Sequence, residues 1–256
     1  MPKPKPFATE VELCKRFLSG IPKEWTAFAE TAGWDILLVR NSDGFQIGIQ
    51  AKLRLNIEVV NQAIEDGRSY SATRPGPDCR AILVPDCDAG SFSTICGYIG
   101  ITIIRVYDPG RDHRSYGNGL KFYPYLPSEK QPYDSGDWFE CCPVKRHTLP
   151  EYVPDVAAGA SSPTQLTDWK IRAIKIAVTL EKRGFVTRHD FKAHNIDYRR
   201  WIAADGWLKA VNGRYIAHRM PDFKRQHPVV YEQIAADAEK WMPAAAVLTG
   251  QIGRLL

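Results

Sequence analysis

Between Gly33 and Asn56 two hydrophobic runs, DILLVR and FQIGIQAKL, stand on either side of the polar turn Asn41-Ser42-Asp43-Gly44. Short runs rich in Ile, Leu and Val around such a turn read as antiparallel strands, here Asp35 to Arg40 and Phe45 to Leu53. Successive side chains of a strand point to opposite faces. Phe45, Ile47, Ile49, Ala51 and Leu53 therefore share one face, expected to pack on a helix, and Gln46, Gly48, Gln50 and Lys52 share the other. Gln50 and Lys52 project together, about 7 Å apart along the strand. Antiparallel pairing lets Asp35 approach that same face. An acid, an amide and an ammonium inside a core hairpin carry a desolvation cost, so they need a chemical reason.

The flanking segments frame this hairpin. Thr9 to Ser19 has helical spacing, with Val11, Leu13, Cys14, Phe17 and Leu18 on one side. Trp25 to Glu30 reads as a strand. Asn56 to Tyr70 reads as a helix with Ile57, Val60, Ala63 and Ile64 inward. Then come a strand over Cys79 to Pro85, a short helix over Phe92 to Gly100 and a strand over Ile101 to Tyr107. The order α-β-β-β-α-β-α-β predicts an α/β fold, a mixed sheet flanked by helices. Asp108 to Pro154 is rich in Pro, Gly, Tyr and Arg and shows no period; loops and one hairpin are expected there.

The residue types of the hairpin suit metal-assisted phosphodiester cleavage. Mg²⁺ prefers oxygen ligands, which the Asp35 carboxylate, the Gln50 side chain and the Ala51 carbonyl supply. Lys52 is placed to orient the attacking water and to stabilise charge building on the phosphate. The six cysteines, Cys14, Cys79, Cys87, Cys96, Cys141 and Cys142, form no C-x-x-C pair and read as free thiols in a reducing compartment. The six histidines make no ligand-spaced pair.

Asp35 with Gln50-Ala51-Lys52, in the setting WDILLV, IGIQAKL, a helix and ILVP, resembles the PD-(D/E)xK nuclease superfamily. The resemblance spans Thr9 to Tyr107 and implies the restriction-endonuclease-like fold, a Mg²⁺ cofactor that Mn²⁺ replaces, and DNA as substrate. It implies catalytic roles for Asp35, Gln50 and Lys52, with Asp35, Gln50 and Ala51 holding the metal. Gln50 departs from the usual Glu or Asp, as in the Mrr-like branch, which is similar in using Q-x-K. An amide oxygen does not compensate a cation's charge, so another acid is expected to help. On the helical wheel Glu10 falls within the apolar face beside Leu13, Cys14 and Phe17, whereas Glu12 falls opposite. Glu10, facing either the metal or Lys52, is the favoured acid, and Glu30 is an alternative. Gln62 lies on the following helix, where superfamily members often place a polar residue near the site.

Val156 to Thr164, VAAGASSPT, has linker composition and divides residues 1–155, the nuclease-like domain, from residues 165–256. Helices are expected over Thr167 to Arg183, Thr187 to His194 and Asp197 to Asp205. A hairpin follows about Asn212-Gly213, a type I′ signal, and a last helix covers His227 to Trp241. Three helices and a hairpin make a winged helix-turn-helix. Gln165 to Arg225 holds 14 Lys or Arg against 6 Asp or Glu, although the whole chain is only +5. A basic module on a slightly acidic body points to a polyanion. Arg188, Lys192, Tyr198, Arg199, Arg200, Lys209 and Arg214 are the expected DNA contacts, with Tyr198, Arg199 and Arg200 opening the recognition helix. Trp201, Ile202, Trp207 and Leu208 are expected in its core, and His189 and His194 on its surface. No apolar run is long enough to span a membrane and MPKPKPFATE lacks a signal core, so a cytoplasmic location is expected. Many nucleases of this kind pair as homodimers to cut both strands. The competing expectation is a non-catalytic DNA-binding regulator on a decayed nuclease fold.

Overall fold

Helix α1 (Glu10–Leu18) starts where the Thr9 hydroxyl accepts the Glu12 N–H at 3.2 Å and the Glu12 carboxylate accepts the Ala8 N–H at 2.9 Å. The Thr9 hydroxyl satisfies one N–H left over at the helix start, and Glu12 ties the preceding residue to the first turn. The structure, a computed structural model, describes residues 6–64, 74–86, 90–108, 120–128, 136–160, 165–203 and 205–244. Six strands follow one another across a single sheet in chain order: β1 (Trp25–Thr31), β2 (Trp34–Arg40), β3 (Gln46–Ala51), β4 (Cys79–Pro85), β5 (Ile101–Val106) and β6 (Phe122–Tyr123). The first three run antiparallel, β3, β4 and β5 run parallel, and β6 returns antiparallel. The α/β architecture with a helix-flanked mixed sheet therefore holds.

Both sheet faces are covered. Leu13, Cys14 and Phe17 of α1 pack on Ile36, Leu38, Ile47, Ile49, Ala51 and Leu83. On the other face, Val59, Val60 and Ala63 of α2 (Ile57–Ile64) and Cys96 of α3 (Gly90–Tyr98) pack on Leu37, Val39, Ile82 and Val84. Strands buried on both sides read as continuous apolar runs, which is why ILV in β4 shows no alternation. Ile57 is not inward as the spacing predicts. It is 56% exposed, because Asn56 caps the helix through the Val59 N–H at 3.0 Å and leaves Ile57 on the outer side of the first turn. The rest of the expected helix, residues 65–70, lies outside the described residues, as do Cys87, His113 and most of the 109–135 loops.

Trp34 opens β2 but does not follow its alternation. Ile36 and Leu38 face α1, yet the Trp34 ring joins the opposite core and lies across Gly48 of β3. A Cβ at Gly48 would sit 2.4 Å from the indole, so only glycine fits beneath it. The indole Nε1 donates to His147 Nε2 at 3.3 Å, and Gln46 makes two hydrogen bonds with the His147 backbone.

The chain divides into two compact units, Met1–Leu149 with Val156–Gln165, and Pro150–Asp155 with Leu166–Leu256. The expected linker is thus not a simple tether. Ala158 is buried in the first unit's core, and the Gly159 N–H donates to Glu30 Oε1 at 2.9 Å. Its small residues, read as linker composition, permit close packing; residues 161–164 lie outside the described residues. Pro150–Asp155 joins the second unit: Glu151 pairs with Lys175, and Asp155 binds His227 Nδ1 at 3.0 Å and the Val229 N–H at 2.8 Å.

In that second unit α4 (Asp168–Arg183) is capped by Thr167 and stopped by left-handed Gly184, as the sequence predicts. Helix α5 (Arg188–Ala193) begins with Asp190 accepting the Thr187 N–H and hydroxyl, and Asp190 is also ion-paired with Arg183. Strands β7 (Leu208–Val211) and β8 (Arg214–Ala217) pair about Asn212-Gly213, both at positive φ. Trp201 and Leu208 are buried, with Ile202 and Trp207 packed against the same cluster.

Three expectations fail here. Asp197 to Asp205 is not an α-helix but a 3₁₀ turn over Tyr198–Arg200. The Trp201 carbonyl accepts the Leu208 N–H at 2.8 Å instead of a helical N–H, and a Cβ at Gly206 would sit 2.3 Å from that same carbonyl. The final helix is broken into α6 (Phe223–Gln226), α7 (Pro228–Ala236) and α8 (Ala238–Trp241). The His227 N–H and the Asp237 N–H each close one segment before the next begins. His194 is buried, its ring edge against Trp241, rather than on the surface. Among the described residues no helix is long and apolar enough to cross a membrane.

Candidate active site

The expected site residues come together where β2 begins and β3 ends. The β2–β3 register runs from Val39↔Gln46 to Ile36↔Ile49, which brings Asp35 opposite Gln50. Asp35 Oδ2 accepts the Ala51 N–H at 2.7 Å, tying the acid to the middle of the Gln50-Ala51-Lys52 tripeptide. Gln50 is 8% exposed, and its Nε2 donates to the Gly33 carbonyl at 2.8 Å. That orientation leaves the amide oxygen without a donor among the described hydrogen bonds.

Lys52 lies just past the end of β3. Rather than projecting beside Gln50 as strand alternation predicts, it reaches Glu10 on the first turn of α1, with Nζ 3.3 Å from Oε2. Its backbone N–H still donates to the Leu83 carbonyl at 2.9 Å, so it is the side chain alone that turns to α1. Glu10 thus turns toward the site, while Glu12 serves the helix cap. Gln62 is exposed on α2 and makes no described hydrogen bond to these residues.

Glu30, the alternative acid, stands beside Asp35. The pairs Ala29↔Ile36 and Thr31↔Trp34 bracket it, making it the cross-strand neighbour of Asp35. Burial, then the charge of Asp35, push its carboxyl up to about 7, against the opposing effect of the Gly159 N–H. Burial also raises Asp35; the Ala51 hydrogen bond and Lys52 oppose this, and Glu10 adds to it. The Cys14 thiol, buried beside Asp35, Glu10 and Glu30, is pushed up to about 12 and is no nucleophile. Three acids thus gather about the end of β3 with one ammonium, an excess of acidic over basic groups in a partly desolvated setting.

That excess and the all-oxygen donor set fit a hard divalent cation. Among the described residues no three His, Cys, Asp or Glu side chains are arranged to hold a metal ion. A cation here would draw on the Gln50 amide oxygen and the Ala51 carbonyl as well as on carboxylates.

The basic residues of the second unit fall into two groups. Lys192, Arg200 and Lys209 are exposed, as is Arg199, whose Nε bonds Asp197 at 3.0 Å. Arg188, Tyr198 and Arg214 have structural partners. Arg188 Nε donates to the Tyr215 hydroxyl at 3.1 Å, Tyr198 stacks on Tyr215, and the Arg214 guanidinium lies 4.2 Å over Phe185. Arg199 and Arg200 are therefore presented by a turn, not by a recognition α-helix. Compared with family models, with curated proteins and with solved structures, the chain matches none.

Proposed function

We propose that this chain is a Mg²⁺-dependent DNA endonuclease of the PD-(D/E)xK kind, with a winged helix-turn-helix module that binds DNA. The observation that carries the reading is the convergence of Asp35, Gln50, Lys52 and Glu10 at one end of the sheet. A divalent cation held there would supply a water of lowered pKa and would offset charge on the scissile phosphate. Asp35 would hold it with the Gln50 side-chain oxygen, the Ala51 carbonyl and a second acid, for which Glu10 was the expectation from the helical wheel. Lys52 orients the attacking water, and its ammonium favours the extra negative charge of the five-coordinate phosphorus. Glu10 holds Lys52 in place.

The test is nicking of supercoiled plasmid in Mg²⁺, Mn²⁺ or EDTA. Cleavage is expected with either metal, none in EDTA, and none with Asp35→Ala. Cleavage that survives Asp35→Ala sinks the assignment.

One observation favours a second reading, a DNA-binding regulator on an inactive nuclease scaffold. Gln50 is neutral and its amide nitrogen braces the Gly33 carbonyl, a structural use for a ligand position. Retardation of DNA without metal-dependent cleavage would select it.

For the second unit, Arg199→Ala with Arg200→Ala should weaken DNA binding and flatten the slope of log K against log salt by about 1 to 2. Arg200 supplies most of this, because Arg199 is already partnered by Asp197. An unchanged slope removes both arginines from the phosphate contacts.

A further inference from the structure

We infer that Glu30 is the second acidic ligand of the divalent cation, standing in for the carboxylate that Gln50 lacks. This rests on the nuclease reading above and assigns to β1 a role that the sequence motif places elsewhere.

Charge is the first argument. A divalent cation held by Asp35, an amide oxygen and a main-chain carbonyl meets a single negative charge. Affinity for hard cations follows the count of charged ligands. A second carboxylate is needed, and two are near. Glu10 is engaged, with Oε2 3.3 Å from Lys52 Nζ. Glu30 forms no ion pair with a Lys, Arg or His among the described residues, and it is the direct cross-strand neighbour of Asp35.

Geometry is the second. Gln50 is 8% exposed, and its oxygen has no donor among the described hydrogen bonds although its nitrogen is fixed on Gly33. That oxygen is committed to no described protein donor and is open to a cation. Glu30 is likewise half-satisfied: Oε1 accepts the Gly159 N–H at 2.9 Å and the second oxygen remains for a cation. Gly159 is itself fixed tightly, since a Cβ there would sit 3.2 Å from Cys14 Sγ and from the Glu10 backbone. The Glu30 backbone is held at φ 49°, a left-handed conformation within a strand. Such a backbone persists only when its surroundings fix it.

The experiment is calorimetric titration of the full chain with Mn²⁺. Wild type is compared with Glu30→Gln, Glu10→Gln and Asp35→Asn. Glutamine at position 30 keeps the acceptor for Gly159 and removes only the charge. Glu30→Gln should weaken Mn²⁺ by about tenfold or more, since even outer partners of a metal site contribute on that scale. Glu10→Gln should change it less than Glu30→Gln does, because the Glu10 carboxylate is already engaged by Lys52. Adding Gln50→Glu to Glu30→Gln should restore affinity, which a folding defect would not allow. Wild-type affinity in Glu30→Gln, or a loss confined to Glu10→Gln, overturns the inference and leaves the nuclease reading intact. Wild type that binds no Mn²⁺, or binds it as Asp35→Asn does, overturns the reading and the inference with it.

Discussion

Replacing Lys52 with alanine is expected to lower metal-dependent nicking by about 10²–10⁴-fold, the range for a group that manages protons and charge in a transition state. Retardation of the same DNA should be unchanged. The prediction is sharp because Lys52 has little structural work. It follows the last residue of β3, and its one described side-chain partner is Glu10. Part-exposed pairs of this sort contribute about 0–1 kcal/mol, so the melting temperature should hardly move. Lys52→Met separates the two roles further, because it keeps the apolar stem and removes the ammonium. It should be as inactive as alanine and at least as stable. Rate measurements under single-turnover conditions, paired with gel retardation, decide the matter. Cleavage within about threefold of wild type in either variant, far below the 10² floor, would remove Lys52 from the chemistry.

The site was legible where side-chain direction follows from local periodicity. Strand alternation separated Ile47, Ile49 and Ala51 from Gln46 and Gln50, and the helical wheel separated Glu10 from Glu12. Both hold in the structure. Legibility failed where a residue leaves its period. Lys52 lies beyond the strand, so it turns to α1. Glu30 reaches Asp35 through a positive φ that no glycine announces, and its brace, Gly159, is remote in sequence. The nearest signal was Ala32-Gly33, a tight β1–β2 connection whose register sets Glu30 against Asp35. Composition misled in VAAGASSPT, because small residues mark close packing as readily as flexibility. At Asp197 to Asp205 the capping aspartate was read correctly, but the helix it starts lasts one turn. The Trp201 carbonyl is taken by a long-range partner, a tertiary demand absent from local propensity.

Trp34 and Gly48 supply the largest expected effect on stability. Trp34→Ala empties a site occupied by a ring only 2% exposed and should cost about 3–5 kcal/mol. Gly48→Ala should cost about 1–3 kcal/mol by overpacking. The added methyl would meet the indole at 2.4 Å, and the obstacle is a rigid buried ring rather than a flexible side-chain end. The two should not add. In the Trp34→Ala background the Gly48 methyl enters vacated space and also restricts the unfolded chain, so it should be neutral or stabilising by up to about 1 kcal/mol. Urea unfolding of the four proteins of this cycle measures the coupling. Additive costs would mean that the ring does not lie over Gly48. Under the proposed nuclease reading, the same pair bears on cleavage through the backbone. Trp34 separates Gly33, whose carbonyl receives the Gln50 amide, from Asp35, whose carboxylate receives the Ala51 N–H. A ring displaced by the Gly48 methyl shifts both anchors at once. Gly48→Ala should therefore reduce nicking beyond its effect on the folded fraction, although it alters no side chain of the proposed chemistry.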